Sequence, residues 1–167
     1  MVRIRLRRAE ECPSGQSDPV TRIELRLELP PSVNRLYVRR KGGGVALTKE
    51  AHRYREHVKK VVMENLHEVS NLPVDLETQY SFHVTVYFKA LENAGWWETF
   101  SRGEKKGQRK AATRYKKIDV DNRVKFIQDC VIKSLGIPDD SQVFEGSQRK
   151  RVGEEEAAVV VVEVIGP

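Results

Sequence analysis

Two pairs of aspartates stand out in KKIDVDNRVKFIQDCVIKSLGIPDDSQ, residues 116–142: Asp119 with Asp121, and Asp139 with Asp140. Asp119 and Asp121 lie two apart just ahead of a helical pattern, so in an extended chain both carboxylates project from one side. Lys125 follows Asp121 by one helical turn and shares its face, while Val124, Ile127, Val131 and Leu135 form the opposite, core-directed stripe. Gly136 and Pro138 stop the helix, and the second aspartate pair follows at once. Clustered carboxylates repel one another and stay ionised together when a hard, oxygen-liganded cation sits among them. Magnesium is the first candidate and manganese the second. Such a cation activates a water and neutralises charge on a phosphoryl oxygen, and a neighbouring lysine adds a fixed positive charge. A competing reading makes Asp121 or Asn122 a helix cap and Asp139-Asp140 a turn. The combination with Lys125 and an adjoining basic run favours the chemical reading.

That run is concentrated. Between residues 102 and 117, Arg102, Lys105, Lys106, Arg109, Lys110, Arg114, Lys116 and Lys117 face only Glu104, a local surplus larger than the net charge of +6 for the whole chain. Over 91–117 the chain loses periodicity, and a loop of this length in a compact domain usually has a function or no fixed structure. Trp96, Trp97, Phe100 and Tyr115 interrupt its cations. Cations hold phosphate and rings stack on unpaired bases, so the loop suits nucleic acid. The tryptophans could equally pack beneath the loop, and only the cations, with Asn122, enter the DNA-contacting set.

The segment from Asp119 to Asp140 resembles the signature of the RusA family of Holliday junction resolvases: D-x-D-N-x-x-K, a helix, then a D-D pair in a turn. Here the pattern reads Asp119, Asp121, Asn122, Lys125, Asp139 and Asp140. Upstream, LPPSVNRLY at 29–37 is similar to the family's L-P-P-S-x-N opening, and AHRYREHV at 51–58 to its first helix. The resemblance covers about residues 23–150 and implies a homodimeric, magnesium-dependent endonuclease that cuts four-way DNA junctions. On it, Asp119, Asp121 and Asp140 hold the metal, Asp139 supports the cluster, and Lys125 assists the transition state. The chain departs from the family in an extension over residues 1–22, a long loop before Asp119, and Ile118 where a basic residue is frequent. Rival readings are a non-catalytic module binding branched or single-stranded DNA and a small phosphotransferase, although no P-loop or other nucleotide fingerprint is present.

Length and pattern set out the elements that must position these residues. A chain of 167 residues makes one domain, residues 23–167, with a real core. Cys12 and Cys130 form no disulfide framework, and no stretch reads as an export signal or membrane span, which suits a soluble cytoplasmic protein. RIELRLEL at 22–29 alternates as a half-buried strand, and RRKGGG reads as a flexible basic loop. Thr48 caps a helix over 49–69 with Ala51, Tyr54, Val58, Val61, Val62 and Leu66 inward. His52, His57 and His67 lack a zinc-ligand pattern and read as surface residues. Residues 79–90 form a central strand with an aromatic-rich face, 142–150 a third strand, and the valine-rich end from 159 a fourth, joined to the third as a hairpin by the acidic turn 153–156. VRIRLR near the start could add an edge strand. The expected class is α+β: one mixed sheet in the order strand, helix, strand, helix, strand, strand, with two main helices packed on it, in a homodimer.

One distance complicates the metal reading. From Asp121 to Gly136 an unbroken helix rises about 22 Å, and the next four residues return at most about 13 Å. About 9 Å then separates Asp121 from Asp140, near the limit for two ligands of one cation. A twofold dimer with antiparallel helices would relieve this by a composite site.

Overall fold

The computed structural model describes residues 22–65, 69, 72–118 and 120–166. The N-terminal VRIRLR, Cys12, Leu66, His67 and Asp119 lie outside the described residues. The main sheet has four strands in the order β1-β6-β4-β5: β1 (Arg22–Glu28), β4 (Gln79–Phe88), β5 (Val143–Val152) and β6 (Ala157–Gly166). β2 (Tyr37–Arg39) and β3 (Val45–Leu47) form a separate two-stranded sheet, and the two long helices are α1 (Lys49–Glu64) and α2 (Asp121–Leu135). The architecture is α+β with a mixed sheet, as the patterning implies.

Alternation puts the apolar side chains of β1, β4 and β6 on one face, where the register stacks them in rows. Ile23, Val162 and Phe82 form one row; Leu25, Val160 and Val84 the next; Leu27, Ala158 and Val86 the third. The helices close this face. Thr48 accepts the Ala51 N–H at 3.2 Å to start α1, whose Ala51, Tyr54, Val58, Val61 and Val62 are buried. α1 packs on α2 with the rings of Tyr54 and Phe126 5.7 Å apart. The inward face of α2 is wider than the stripe read from sequence, since Phe126, Cys130 and Ile132 join Ile127, Val131 and Leu135, while Val124 is only half-buried.

Two expectations are corrected. The acidic turn does not make a hairpin: β5 pairs parallel to one side of β4, and β6 pairs antiparallel to the other. The valines of β6 need two apolar neighbours, which β1 and β4 supply, whereas Glu145, Arg149, Lys150 and Arg151 are exposed and suit β5 to an edge. The chain therefore crosses the end of β4, where Gly153 donates to the Phe88 carbonyl at 3.0 Å and a Cβ would meet the Tyr87 ring at 3.0 Å. Nor is the sheet single, because β2 and β3 stand apart from it. RRKGGG runs through the turn of that β2-β3 hairpin: the Gly43 N–H donates to the Arg40 carbonyl, and Gly43 and Gly44 take φ of 88° and 83°, which side-chain-bearing residues avoid.

Residues 91–117 are cross-linked by backbone hydrogen bonds despite their lack of periodicity. They form an irregular antiparallel finger, held at its base by Lys116 N–H to Leu91 O at 2.9 Å and Asn93 N–H to Arg114 O at 2.8 Å. Further out, Glu98 and Phe100 are bonded through their backbones to Lys110 and Gln108. No helix among the described residues is long and apolar enough to cross a membrane.

Candidate active site

Helix α2 begins at Asp121 itself, with Val120 in the capping position and no side-chain cap bond. The Asp121 carboxylate is thus not used as a cap. It accepts a hydrogen bond at 2.8 Å from the Nε2 of Gln148 on β5. Two residues along the same strand, Lys150 donates to the Ile118 carbonyl at 2.8 Å, so β5 tethers both the start of α2 and the segment before it.

Asp121, Val124, Lys125, Gln128, Asp129, Asp140 and Gln148 line one open cleft of about 340 Å³. A single chain therefore brings Asp121, Lys125 and Asp140 to one surface. Asp121 and Asp140 of the same chain thus share one cleft despite the helix between them. The chain turns back sharply at Gly136, whose φ of 76° and the bond from Ile137 N–H to Ile132 O fold residues 137–140 along the helix. Asp140 then approaches Asp129, in the middle of α2, closely enough for the two charges to interact.

Asp129 was not among the residues picked out by spacing. It continues the one-turn series Asp121, Lys125, Asp129, and that spacing could have revealed it. Burial pushes its carboxyl above the usual carboxylate range; Asp140 adds to the rise, and Lys125, Arg55 and Lys133 oppose it. Asp139 has a different place. It caps the one-turn 3-10 helix Asp140–Gln142, accepting the Ser141 N–H at 2.8 Å, and these bonds hold its carboxyl below the usual range. It does not line the cleft.

The turn that presents Asp140 is anchored by buried Gln142, whose Nε2 donates to the carbonyls of Asp75 at 2.7 Å and Thr78 at 3.0 Å while its Oε1 receives the Asp139 N–H. Gln142→Ala removes the donors from both carbonyls, of which that of buried Thr78 is poorly reached by water. It should lower unfolding free energy by about 2 kcal/mol in a denaturant titration, more than Ser141→Ala on the exposed side of the same turn.

Hard carboxylate and amide oxygens, exposed on one side and flanked by a lysine, suit an octahedral divalent cation that keeps several waters and takes one or two carboxylates. Among the described residues no three acidic, histidine or cysteine side chains are grouped closely enough to hold a metal alone. Asp119, the remaining sequence candidate, lies outside them. His52 is exposed, and His57 accepts the Glu28 N–H at 3.5 Å, in keeping with their reading as surface residues.

The finger divides its cations into two kinds. Arg114 pairs with Glu92 at 2.7 Å and covers the Trp96 ring at 4.8 Å, and Lys110 pairs with Glu98. These two help hold the finger together. Arg102, Lys105, Lys106, Arg109, Lys116 and Lys117 are exposed and make no ion pair among the described residues. Asn122, also exposed, lies in the first turn of α2.

A helix-presented acidic cleft with a lysine on its wall, in a chain that also carries a finger of unpaired cations, defines a protein built to meet a polyanion. The chain belongs to the RusA endodeoxyribonuclease family: the family model for endodeoxyribonuclease RusA matches residues 28–164, most of the chain and all of the cleft. No curated protein matches it.

Proposed function

We propose that this enzyme is a magnesium-dependent endonuclease that resolves four-way DNA junctions in recombination and repair. The observation that carries the reading is the gathering of Asp121, Lys125 and Asp140 on one cleft in a chain of an endodeoxyribonuclease family. Asp121 and Asp140, with Asp119 two residues earlier in the chain, are the metal ligands in this reading, and Gln148 orients Asp121 through its hydrogen bond. Magnesium, when bound, makes water acidic enough to attack and offsets charge on the phosphate. Lys125 contributes a second positive charge toward the phosphate, and Asp139 holds the turn from which Asp140 projects. Unpaired finger cations grip the arms, and a twofold homodimer suits a symmetric four-way substrate. A reducing cytoplasm suits both the DNA substrate and the buried free thiol of Cys130.

The test is incubation with a four-way junction and with linear duplex, in magnesium and in chelator. Metal-dependent cutting of the junction alone supports the reading; binding without cutting under all conditions would leave a DNA-binding module. Lys125→Ala separates the roles further. Its single-turnover rate should fall by about tenfold to a hundredfold with little loss of affinity, because one fixed charge matters most where negative charge develops. Equal losses in rate and affinity would make Lys125 an ordinary phosphate contact.

A further inference from the structure

The two tryptophans of the finger are adjacent in sequence and unlike in environment. Trp96 is half-buried, with the Arg114 guanidinium 4.8 Å above its ring, and Arg114 is itself fixed by Glu92 and lies 5.2 Å from the Tyr115 ring. Trp97 is 65% exposed and meets Trp96 edge-on, with ring planes at 90° and centroids 6.0 Å apart. Among the described residues no other ring or cation contacts the Trp97 indole. At this exposure most of the indole surface is open to solvent.

The mount is rigid. Asn93 reaches across the finger to the Thr113 carbonyl at 2.9 Å, the Gly95 N-terminal side is closed by Glu98 N–H to Gly95 O at 2.9 Å, and Lys110 ties back to Glu98. A large apolar plate held in water on a fixed support exposes surface that burial would stabilise, and the unpaired cations of the same finger select what comes to it. Resting on the reading of this chain as a junction nuclease, we infer that Trp97 is a stacking platform for an unstacked DNA base, with Trp96 and Arg114 as its support. Bases within a duplex are already stacked on both faces, whereas a branch point or single strand offers free ones. Trp97 thereby discriminates branched from linear DNA, a task the cations cannot perform because every DNA carries phosphate.

The chain contains only these two tryptophans, so intrinsic emission reports on the finger alone. Titrations are made in chelator, where nothing is cut, using wild type and Trp96→Phe with oligothymidylate, a four-way junction and a blunt duplex of equal length. Quenching by oligothymidylate and junction with little by duplex is expected in both proteins. Trp97→Ala should lose about tenfold in affinity for oligothymidylate and junction and less than twofold for duplex, with Trp97→Phe retaining most of the binding. Absence of quenching in wild type, equal quenching by duplex, or an equal affinity loss on all three probes would overturn the inference. If wild type in magnesium cuts no junction, the proposed activity fails, while quenching by oligothymidylate still decides the role of Trp97.

Discussion

An Asp121→Asn chain should bind a four-way junction as tightly as wild type and cut it at least about a hundredfold more slowly. The separation follows from what the side chain does and does not do. Asparagine keeps the size of the residue and an oxygen that can still accept from Gln148, whose donor lies 2.8 Å away. The start of α2 is not at stake, since its capping position is Val120 and no side-chain cap bond exists there. What is lost is one negative charge, and with it the affinity of the cleft for a hard cation and the charge stabilisation that cation supplies. Single-turnover cleavage in magnesium and junction binding in chelator measure the two quantities independently. Undiminished cleavage would remove Asp121 from the metal site, and a parallel fall in binding would mean that the substitution disturbs the fold or the DNA surface instead.

Neutralising Lys105, Lys106, Arg109 and Lys116 together should flatten the dependence of junction affinity on salt. Each phosphate contact contributes about 0.9 to the slope of log affinity against log salt concentration, so four contacts contribute about 3.6. Raising salt from ~50 to ~200 mM then costs wild type about a hundredfold more affinity than the variant. The four are chosen because they are exposed and make no ion pair among the described residues, whereas Lys110 and Arg114 are engaged by Glu98 and Glu92. Replacing those two would confound lost phosphate contacts with a loosened finger. Thermal melting should be unchanged, because exposed cations of like sign gain nothing from one another in the free protein. A salt slope equal to wild type would identify the four as solvated residues with no part in binding.

Periodicity in the amino-acid sequence determined the elements whose order depends on near neighbours. The alternation of Ile23, Leu25 and Leu27, the inward stripe of α1, and the stop of α2 at Gly136 are all set within a few residues by strand pleat, helical turn and left-handed backbone. The same local rule put Asp121 and Lys125 on one face of α2, and it extends to Asp129. Tertiary structure decided the rest, because a backbone hydrogen bond can be made with any strand and the choice rests on packing far along the chain. That is why β6 lies between β1 and β4 and β5 runs parallel at the edge, although β5 and β6 are consecutive. It is also why Gln148, 27 residues from Asp121, became its hydrogen-bond partner. The divided fates of Trp96 and Trp97 follow the same rule. Identical residue types at neighbouring positions carry identical local signals, and only the fold of the finger turns one inward against a partner and leaves the other in solvent.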